Sequence, residues 1–223
     1  MKKRAIVTGG NSGLGYAIAQ ELLALDLEVI LTGRDDEKLI QAKTSLGSDS
    51  VSYAAFNVAD ESAIDNFFKN LDYPVTYLFN VAGVGVFGSI EEINRADIDR
   101  LLESNLIGLM LMTSGFIKKF GNEEIRIINV MSTAAQVGKK SEAMYCAAKW
   151  GARGFTEALK TTYKGSNISV LGVYPGGMDT AFWQNDGRDV SSFMKPSDVA
   201  QQIAVNAVHS KSINITDLVI ERA

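Results

Sequence analysis

The chain has 223 residues and a mass of 24.1 kDa, which allows one large domain or two small ones with a buried core, and its formal net charge is −4 at pH 7. A sequence pI near 5.1 provides no overall basic field for binding nucleic acid. With a single cysteine, Cys146, and a single histidine, His209, the composition excludes internal disulfides and argues against a structural zinc site.

The first apolar run begins at residue 5 and breaks at Gly9, which is too short for the core of a signal peptide or for a membrane span. A lone cysteine also suits a reducing compartment. We therefore expect a cytoplasmic protein that does not associate with a membrane.

Short apolar runs alternate with helical patterns along the whole sequence, which predicts parallel strands joined by crossover helices. Strands are predicted near residues 4–8, 28–32, 51–56, 75–80, 125–131, 168–174 and 217–220. Helices are predicted near residues 13–26, 36–46, 60–71, 94–119, 143–163 and 197–208. Because the sequence contains no repeat and no linker rich in proline and glycine, the simplest architecture is one α/β domain over residues 1–223. This would be a doubly wound (Rossmann) domain, with a parallel sheet of about seven strands and helices on both faces.

A glycine-rich segment joins the first predicted strand to the first predicted helix. The strand Arg4–Thr8 runs directly into Gly9-Gly10-Asn11-Ser12-Gly13-Leu14-Gly15. Glycines at this point let backbone amides approach a phosphate, and the helix N-terminus adds donors and the positive end of a dipole. Gly9 would form the tight turn, Gly13 the close approach and Gly15 the helix-to-strand packing. An ordinary glycine-rich turn is the alternative, but the order of strand, glycines and helix favours dinucleotide binding.

The end of the second strand bears on the choice between NAD and NADP. A carboxylate there binds the ribose 2′-hydroxyl of NAD, whereas this strand ends at Thr32 and is followed by Gly33 and Arg34. The planar guanidinium of Arg34 could pair with the 2′-phosphate of NADP. Asp35 and Asp36 are the rival ribose ligands, but we interpret them as the cap and first turn of the next helix. NADP(H) is therefore favoured over NAD(H).

A serine, a tyrosine and a lysine are predicted to converge at one strand end. Tyr145 and Lys149 are four residues apart on one helix face, and Ser132 ends the apolar run from Ile125 to Met131. A cation about 4 Å from the phenol would lower its pKa by about three units before the opposing effect of burial. Lys149 is therefore expected to bring Tyr145 within reach of neutral pH as an acid or base. A chance pairing on one helix face remains the alternative.

These motifs together resemble the short-chain dehydrogenase/reductase family over almost the whole chain. Thr8-Gly-x-x-x-Gly-x-Gly15 is followed by Ser132 and, thirteen residues later, by Tyr145-x-x-x-Lys149. The segments Asn80-Val81-Ala82-Gly83 and Pro175-Gly176-Gly177-Met178-Asp179-Thr180 are similar to two further parts of the family pattern.

The resemblance implies a role for each matching residue. Tyr145 would be the acid/base, Lys149 its electrostatic partner and a ribose ligand, Ser132 the group that positions the carbonyl, and Asn105 the helix residue that holds a water in a proton relay. With the glycine loop and Arg34, the predicted cofactor contacts are Gly9, Asn11, Ser12, Gly13, Leu14, Gly15, Arg34, Asn57, Val58, Asn80, Ala82, Gly83, Tyr145, Lys149, Pro175, Gly176, Met178 and Thr180.

Three positions depart from the family pattern. Val81 replaces a second asparagine, which removes a side-chain hydrogen bond that braces neighbouring strands. Asn57 stands where an aspartate often faces the adenine amine, and Ala148 precedes the lysine where serine is common.

Residues 181–195 are the predicted substrate lid. Phe182, Trp183, Phe193 and Met194 are spaced among glycine and polar residues, which suits a loop that closes over a ligand with an apolar portion. A surface loop with hydrophobic anchors is the alternative. Apolar residues on the predicted helix near 94–119 and on the Tyr145 helix could join a partner subunit, as the family commonly does, and a homodimer is expected.

The sequence thus predicts an NADP(H)-dependent enzyme that interconverts a small-molecule carbonyl and an alcohol. A non-catalytic sensor of the ratio of NADP to NADPH is a second possibility. Such a sensor would need only the glycine loop and not the serine, tyrosine, lysine and asparagine set. An NAD-dependent dehydrogenase is the third.

Overall fold

A computed structural model describes residues 2–183, 189–208 and 213–223. The strands among these residues are β1 (Arg4–Thr8), β2 (Glu28–Gly33), β3 (Val51–Ala55), β4 (Tyr77–Asn80), β5 (Ile125–Val130), β6 (Ile168–Pro175) and β7 (Asp217–Ile220). The α-helices are α1 (Gly13–Ala24), α2 (Asp36–Leu46), α3 (Glu61–Lys69), α4 (Arg95–Leu102), α5 (Gly108–Phe120), α6 (Ala143–Thr162) and α7 (Pro196–Val208). The predicted alternation of strands and helices is confirmed.

The strands form one seven-stranded sheet in the order β3-β2-β1-β4-β5-β6-β7, and each neighbouring pair is parallel. The doubly wound architecture predicted from the sequence is therefore confirmed. The strand order reverses direction between β1 and β4, so the connections after these two strands diverge to opposite faces. Open α/β sheets bind ligands in the crevice that this divergence leaves at the carboxyl ends of the strands.

Helices cover both faces of the sheet because its central strands are apolar on both sides. Successive residues of β1 point to opposite faces: Val7 packs in the cluster beneath α1, α2 and α7, and Ile6 in the cluster beneath α3 and α5. All six residues of β5 are buried. Such continuous burial is typical of parallel strands, and it explains why β5 is mostly apolar without a regular alternation, with only Arg126 and Asn129 as polar residues.

The predicted helix near 94–119 is not continuous. A π-helical segment, Glu103–Ile107, separates α4 from α5. Within it the Asn105 side chain donates to the Val84 carbonyl at 2.8 Å and accepts from the Val84 amide at 3.2 Å. Just after it, a Cβ on Gly108 would lie 2.5 Å from Val58, so the helix runs close to the loop that follows β3. Short π segments are frequent at functional sites, and this one turns Asn105 toward the crevice.

Candidate active site

The crevice at the carboxyl ends of the strands is a cleft of about 1200 Å³. Its walls contain all the predicted catalytic residues and every predicted cofactor contact except Asn80. These residues come from the phosphate loop, from the ends of β2 to β6 and from α6. They are separated by up to 171 positions in the sequence, from Gly9 to Thr180, and parallel strands bring them to one edge of the sheet.

The glycine loop has the backbone conformation expected of a phosphate-binding turn. Gly9 and Gly13 have φ values of +67° and +52°, a backbone conformation that residues with a side chain rarely adopt. A Cβ on Gly15 would lie 2.3 Å from the Gly9 carbonyl oxygen, so only glycine lets α1 pack this closely. Ser12 is the N-cap of α1, and its hydroxyl makes no capping hydrogen bond. The first amides of α1 and the Ser12 hydroxyl are therefore available to a phosphate.

Thr8 supplies a brace for the turn after β4. Its hydroxyl oxygen accepts hydrogen bonds from the amides of Val81 at 2.9 Å and Ala82 at 3.0 Å. This turn lies against the phosphate loop, because a Cβ on Gly9 would be 3.0 Å from the Ala82 Cα. The contact that Val81 cannot make is thus replaced in part by a hydroxyl from β1.

Asn80 belongs to a buried polar network beneath the cleft. Its side-chain amide donates to Thr113 at 3.0 Å and to Asn129 at 2.9 Å, and Asn129 donates to Thr156 at 3.0 Å. The network joins β4 and β5 to α5 and α6. Sequence reasoning missed Thr113, Asn129 and Thr156, although an asparagine inside the apolar run of β5 was a visible signal.

At the end of β2 the acidic residues are used by the helix that follows. The Asp35 carboxylate accepts from the Lys38 amide at 3.0 Å as the N-cap of α2, and Asp36 lies in the first turn, as predicted. The Lys38 ammonium is 3.4 Å from the same carboxylate. Arg34 is exposed and lines the cleft together with Lys38, a second cation that the sequence analysis did not identify.

The loop after β3 supplies Asn57 and Val58 to the cleft wall. The Asn57 side-chain oxygen accepts from the Ala59 amide at 3.2 Å, which leaves its second lone pair for another donor. Val58 is 6% exposed and packs against Gly108. The apolar surface of Val58 is suited to lie against a flat aromatic ring.

Ser132, Tyr145 and Lys149 converge as predicted. Tyr145 and Lys149 lie one turn apart on α6, and the Lys149 ammonium is 5.6 Å from the centre of the Tyr145 ring. The Lys149 ammonium also donates to the Val130 carbonyl at 3.4 Å. The Ser132 hydroxyl accepts from the Ala134 amide at 3.1 Å and is near enough to the Tyr145 phenol to influence its pKa.

Burial dominates the electrostatics of this trio. It raises the pKa of the Tyr145 phenol above its ordinary value, and the Glu142 carboxylate acts in the same direction, while the hydrogen bond from Ser132 opposes them. Burial also lowers the pKa of Lys149 to about 8. The lowering of the Tyr145 pKa that we predicted from the Lys149 charge is therefore wrong in direction: desolvation of the phenolate outweighs the nearby charge. The phenol is protonated at neutral pH.

Asn105 positions the loop beside Lys149. Its two hydrogen bonds to Val84 hold the segment that begins at Gly83, where a Cβ would lie 2.5 Å from the Asn105 side-chain oxygen and 3.7 Å from the Lys149 ammonium. Gly83 is therefore required for the close approach of these three residues.

Aromatic rings pack against the ring of Tyr145. Phe87 and Phe182 lie with their ring centres 5.5 and 5.8 Å from that of Tyr145, and Trp183 stacks on Phe87 at 4.9 Å. Phe182 and Trp183 belong to the predicted lid. Residues 189–195 of that lid are tied to residues 177–179 by a bridge between Met178 and Met194, whereas residues 184–188 lie outside the described part of the chain.

The family described as short chain dehydrogenase matches residues 3–191 of this sequence. The chain belongs to the short-chain dehydrogenase/reductase family. Its sequence is 29% identical to 3-ketodihydrosphingosine reductase of Bos taurus over 224 residues, covering 91% of this chain and 68% of that protein.

Solved structures of two dehydrogenases superpose on it closely. A short-chain dehydrogenase/reductase from Vibrio parahaemolyticus is 31% identical with a TM-score of 0.89, covering 98% of this chain and 100% of that one. The closed form of a serine dehydrogenase complexed with NADP+ is 25% identical with a TM-score of 0.91, covering 97% and 94% of the two chains. Within the described residues, no helix has the length and apolar character needed to cross a membrane.

The buried Lys149 gives a testable pH dependence of stability. Below pH 8 its amine is charged in the folded and unfolded states, so folding carries the full burial cost, about 3 kcal/mol at 1.36 kcal/mol per pKa unit. Between pH 8 and the ordinary pKa of 10.5, only the unfolded state holds the proton, so the free energy of unfolding rises with pH.

We predict that Lys149→Met raises the free energy of unfolding at pH 7 by about 1–3 kcal/mol. This gain should shrink by pH 10, as measured by urea denaturation.

The control is Lys43→Met, which removes an exposed lysine from α2 and should leave stability close to that of the wild type at both pH values. A less stable Lys149→Met protein at pH 7 would contradict the conclusion that burial is the main electrostatic effect at this position.

Proposed function

We propose that this protein is an NADP(H)-dependent reductase that converts a small-molecule carbonyl compound into an alcohol. The observation that carries the proposal is the buried Tyr145 phenol, which lies beside Ser132 and one helical turn from Lys149 at the wall of the cleft. The names of the reductase and dehydrogenase relatives support the same reaction class.

The chain's own residues would handle the proton and the substrate oxygen. Ser132 and Tyr145 would hydrogen-bond the carbonyl oxygen, and Tyr145 would transfer its proton to that oxygen as negative charge develops on it. The phenol carries its proton at neutral pH, which is the protonation state that reduction of a carbonyl requires of it. When bound, the dihydronicotinamide supplies the hydride that the carbonyl carbon receives.

Lys149 and Asn105 would support this transfer. The Lys149 ammonium would hold the ribose hydroxyls of the cofactor and stabilise negative charge on Tyr145. Asn105 would hold a water that returns a proton toward the site, in addition to fixing the loop at Val84.

The phosphate loop and the strand ends fit a dinucleotide. The positive φ values of Gly9 and Gly13 and the close packing at Gly15 leave room for a pyrophosphate over the amides of α1. Arg34 and Lys38 line the cleft at the end of β2, and Asp35 is occupied as a helix cap. This charge arrangement favours the 2′-phosphate of NADP(H), and the NADP+ complex of the serine dehydrogenase structure supports the choice.

Two alternatives make different predictions. A sensor of the NADP(H) ratio would bind the cofactor without turning over any carbonyl. An NAD-dependent dehydrogenase would bind NADH more tightly than NADPH. The presence of Ser132, Tyr145 and Lys149 together favours the reductase over the sensor. The two cations near the end of β2, Arg34 and Lys38, favour NADP(H) over NAD(H).

We also propose that the protein is a homodimer formed through the helices beside α6. Ile107, in the π-helical segment, and Trp150, in α6, are 41% and 47% exposed. Large apolar side chains at such a surface are typical of an interface between copies.

Sedimentation of the wild type should then give about twice the chain mass of 24.1 kDa. Trp150→Glu should reduce the sedimenting mass to that of one chain. A wild-type monomer would contradict the dimer.

Tyr145→Phe tests the proton donor. Because positioned acid catalysis typically contributes about 10²–10⁴-fold, we predict a loss of that size in kcat for NADPH-dependent reduction of an aromatic ketone. NADPH affinity, followed by the fluorescence of Trp183, should change little. Retention of the wild-type kcat by Tyr145→Phe would rule out Tyr145 as the donor.

Arg34→Ala tests the cofactor preference. A charge-assisted hydrogen bond is worth about 1.5–3 kcal/mol, so we predict that the Kd for NADPH rises by about 10- to 100-fold while that for NADH stays within about twofold. The matched control is Arg95→Ala, because the Arg95 side chain is exposed on α4, pairs with Asp99 and does not line the cleft. Tighter binding of NADH than NADPH by the wild type would reverse the assignment.

A further inference from the structure

Arg126 places a buried guanidinium at the end of the sheet opposite the cleft. It is the second residue of β5, is 8% exposed, and donates from Nη2 to the Ile215 carbonyl at 2.8 Å. Its Nε is enclosed, and no group among the described residues accepts a hydrogen bond from it. Burial lowers the pKa of Arg126, and the nearby Tyr77 phenol acts in the opposite direction. Because arginine stays charged at neutral pH, a cation is enclosed here.

The acids nearest to this end of the sheet in sequence pair with other cations. Asp26 pairs with Lys2, and Glu28, the first residue of β2, pairs with Arg4. Within the part of the chain that the structure describes, no carboxylate forms an ion pair with Arg126. Arginines are seldom buried without a counter-charge, since removing a charge from water is costly. An anion brought beside Arg126 would recover part of that cost.

Lys3 and Tyr77 add two further donors beside Arg126. The Lys3 ammonium donates to the Tyr77 hydroxyl at 3.2 Å and lies 5.5 Å from the centre of the Tyr77 ring. Tyr77 and Arg126 are register partners on β4 and β5, so their side chains leave the sheet on the same face. Because the Tyr77 hydroxyl accepts from Lys3, its own hydrogen can be donated to another acceptor.

We propose that Arg126, Lys3 and Tyr77 form a binding site for phosphate, either inorganic phosphate or the phosphate group of a small molecule. All three side chains donate hydrogen bonds, and a tetrahedral phosphate presents acceptor oxygens in several directions. A guanidinium fork and a lysine ammonium are both common phosphate ligands. Arg126 is recessed while Lys3 is exposed, so a small anion can reach both, whereas the flat surface of a membrane cannot.

The proposed phosphate site is separate from the cofactor cleft and does not depend on the proposed reductase activity. Arg126 and Ser132 lie near opposite ends of β5, and six residues of extended strand span about 20 Å. The described residues that line the cleft include none of the three phosphate ligands. Bound phosphate would link β1, β4 and β5 at their amino ends without competing with the cofactor.

The test is calorimetric titration of the whole chain with inorganic phosphate at pH 7.5, with ionic strength held constant by sodium chloride. We predict one phosphate bound per chain, with the same Kd in the presence and absence of NADP+. Lys3→Gln should raise this Kd by about 10- to 100-fold, the range of one charge-assisted hydrogen bond. The matched control is Lys2→Gln, which removes a neighbouring exposed lysine that pairs with Asp26 and should leave the Kd within about twofold.

Arg126→Met tests the buried cation. It replaces the guanidinium by an apolar side chain and should abolish phosphate binding. Thermal unfolding followed by circular dichroism should show that phosphate raises the Tm of the wild type but not that of Arg126→Met. In chloride alone the Tm of Arg126→Met should be at least that of the wild type, because the unpaired buried charge is gone. Lys3 is exposed, so its variant tests the site independently of any folding defect at Arg126.

The outcomes separate this site from the cleft. Phosphate binding that NADP+ abolishes and that Lys3→Gln leaves unchanged would belong to the cleft and would overturn the proposal. Failure of the wild type to bind phosphate, or an equal Kd in the wild type, Lys3→Gln and Arg126→Met, would also overturn it. With the site confirmed, tighter binding of glycerol 3-phosphate than of inorganic phosphate would support a phosphate monoester as the ligand, and the reverse order would support inorganic phosphate.

Discussion

The desolvation of Tyr145 and Lys149 is the constraint on which the active site depends. Burial disfavours the charged form of both groups, so the phenol keeps its proton and the pKa of the amine falls to about 8. In the proposed reaction Tyr145 would consequently act as a proton donor in the wall of the cleft. The arrangement lowers the stability of the folded chain, and the packing of the sheet between two helical layers must offset it.

Backbone-directed polar contacts keep the surroundings of this pair rigid. Thr8 holds the turn after β4, Asn105 holds the loop at Val84, and the amides of Asn80 and Asn129 tie β4 and β5 to the helices behind them. Asn105 lines the cleft, whereas Thr8, Asn80 and Asn129 lie outside its lining. Sites that need precise geometry require such support, because small displacements of a donor reduce catalysis strongly.

The two halves of the cleft differ in how they are built. The half proposed to bind the cofactor is formed largely by backbone and glycine, with positive φ values at Gly9 and Gly13 and close packing within the protein at Gly83. The half proposed to bind the substrate is formed by side chains, including the rings of Tyr145, Phe182 and Trp183. The backbone half suits a ligand common to the whole family, and the side-chain half can change without disturbing the fold.

Local pattern alone determined the strands, most helices, the glycine loop and the pairing of Tyr145 with Lys149, because periodicity and short spacings act over a few residues. Tertiary structure decided the rest. The helix near Asn105 is broken into a π segment because its side chain bonds to Val84, twenty-one positions away. The Tyr145 pKa rises because burial is a property of the packed protein, whereas spacing showed only the nearby charge. Glu142 is likewise an ordinary surface acid in the sequence, and only the packing around α6 turns it into a buried carboxylate beside the phenol.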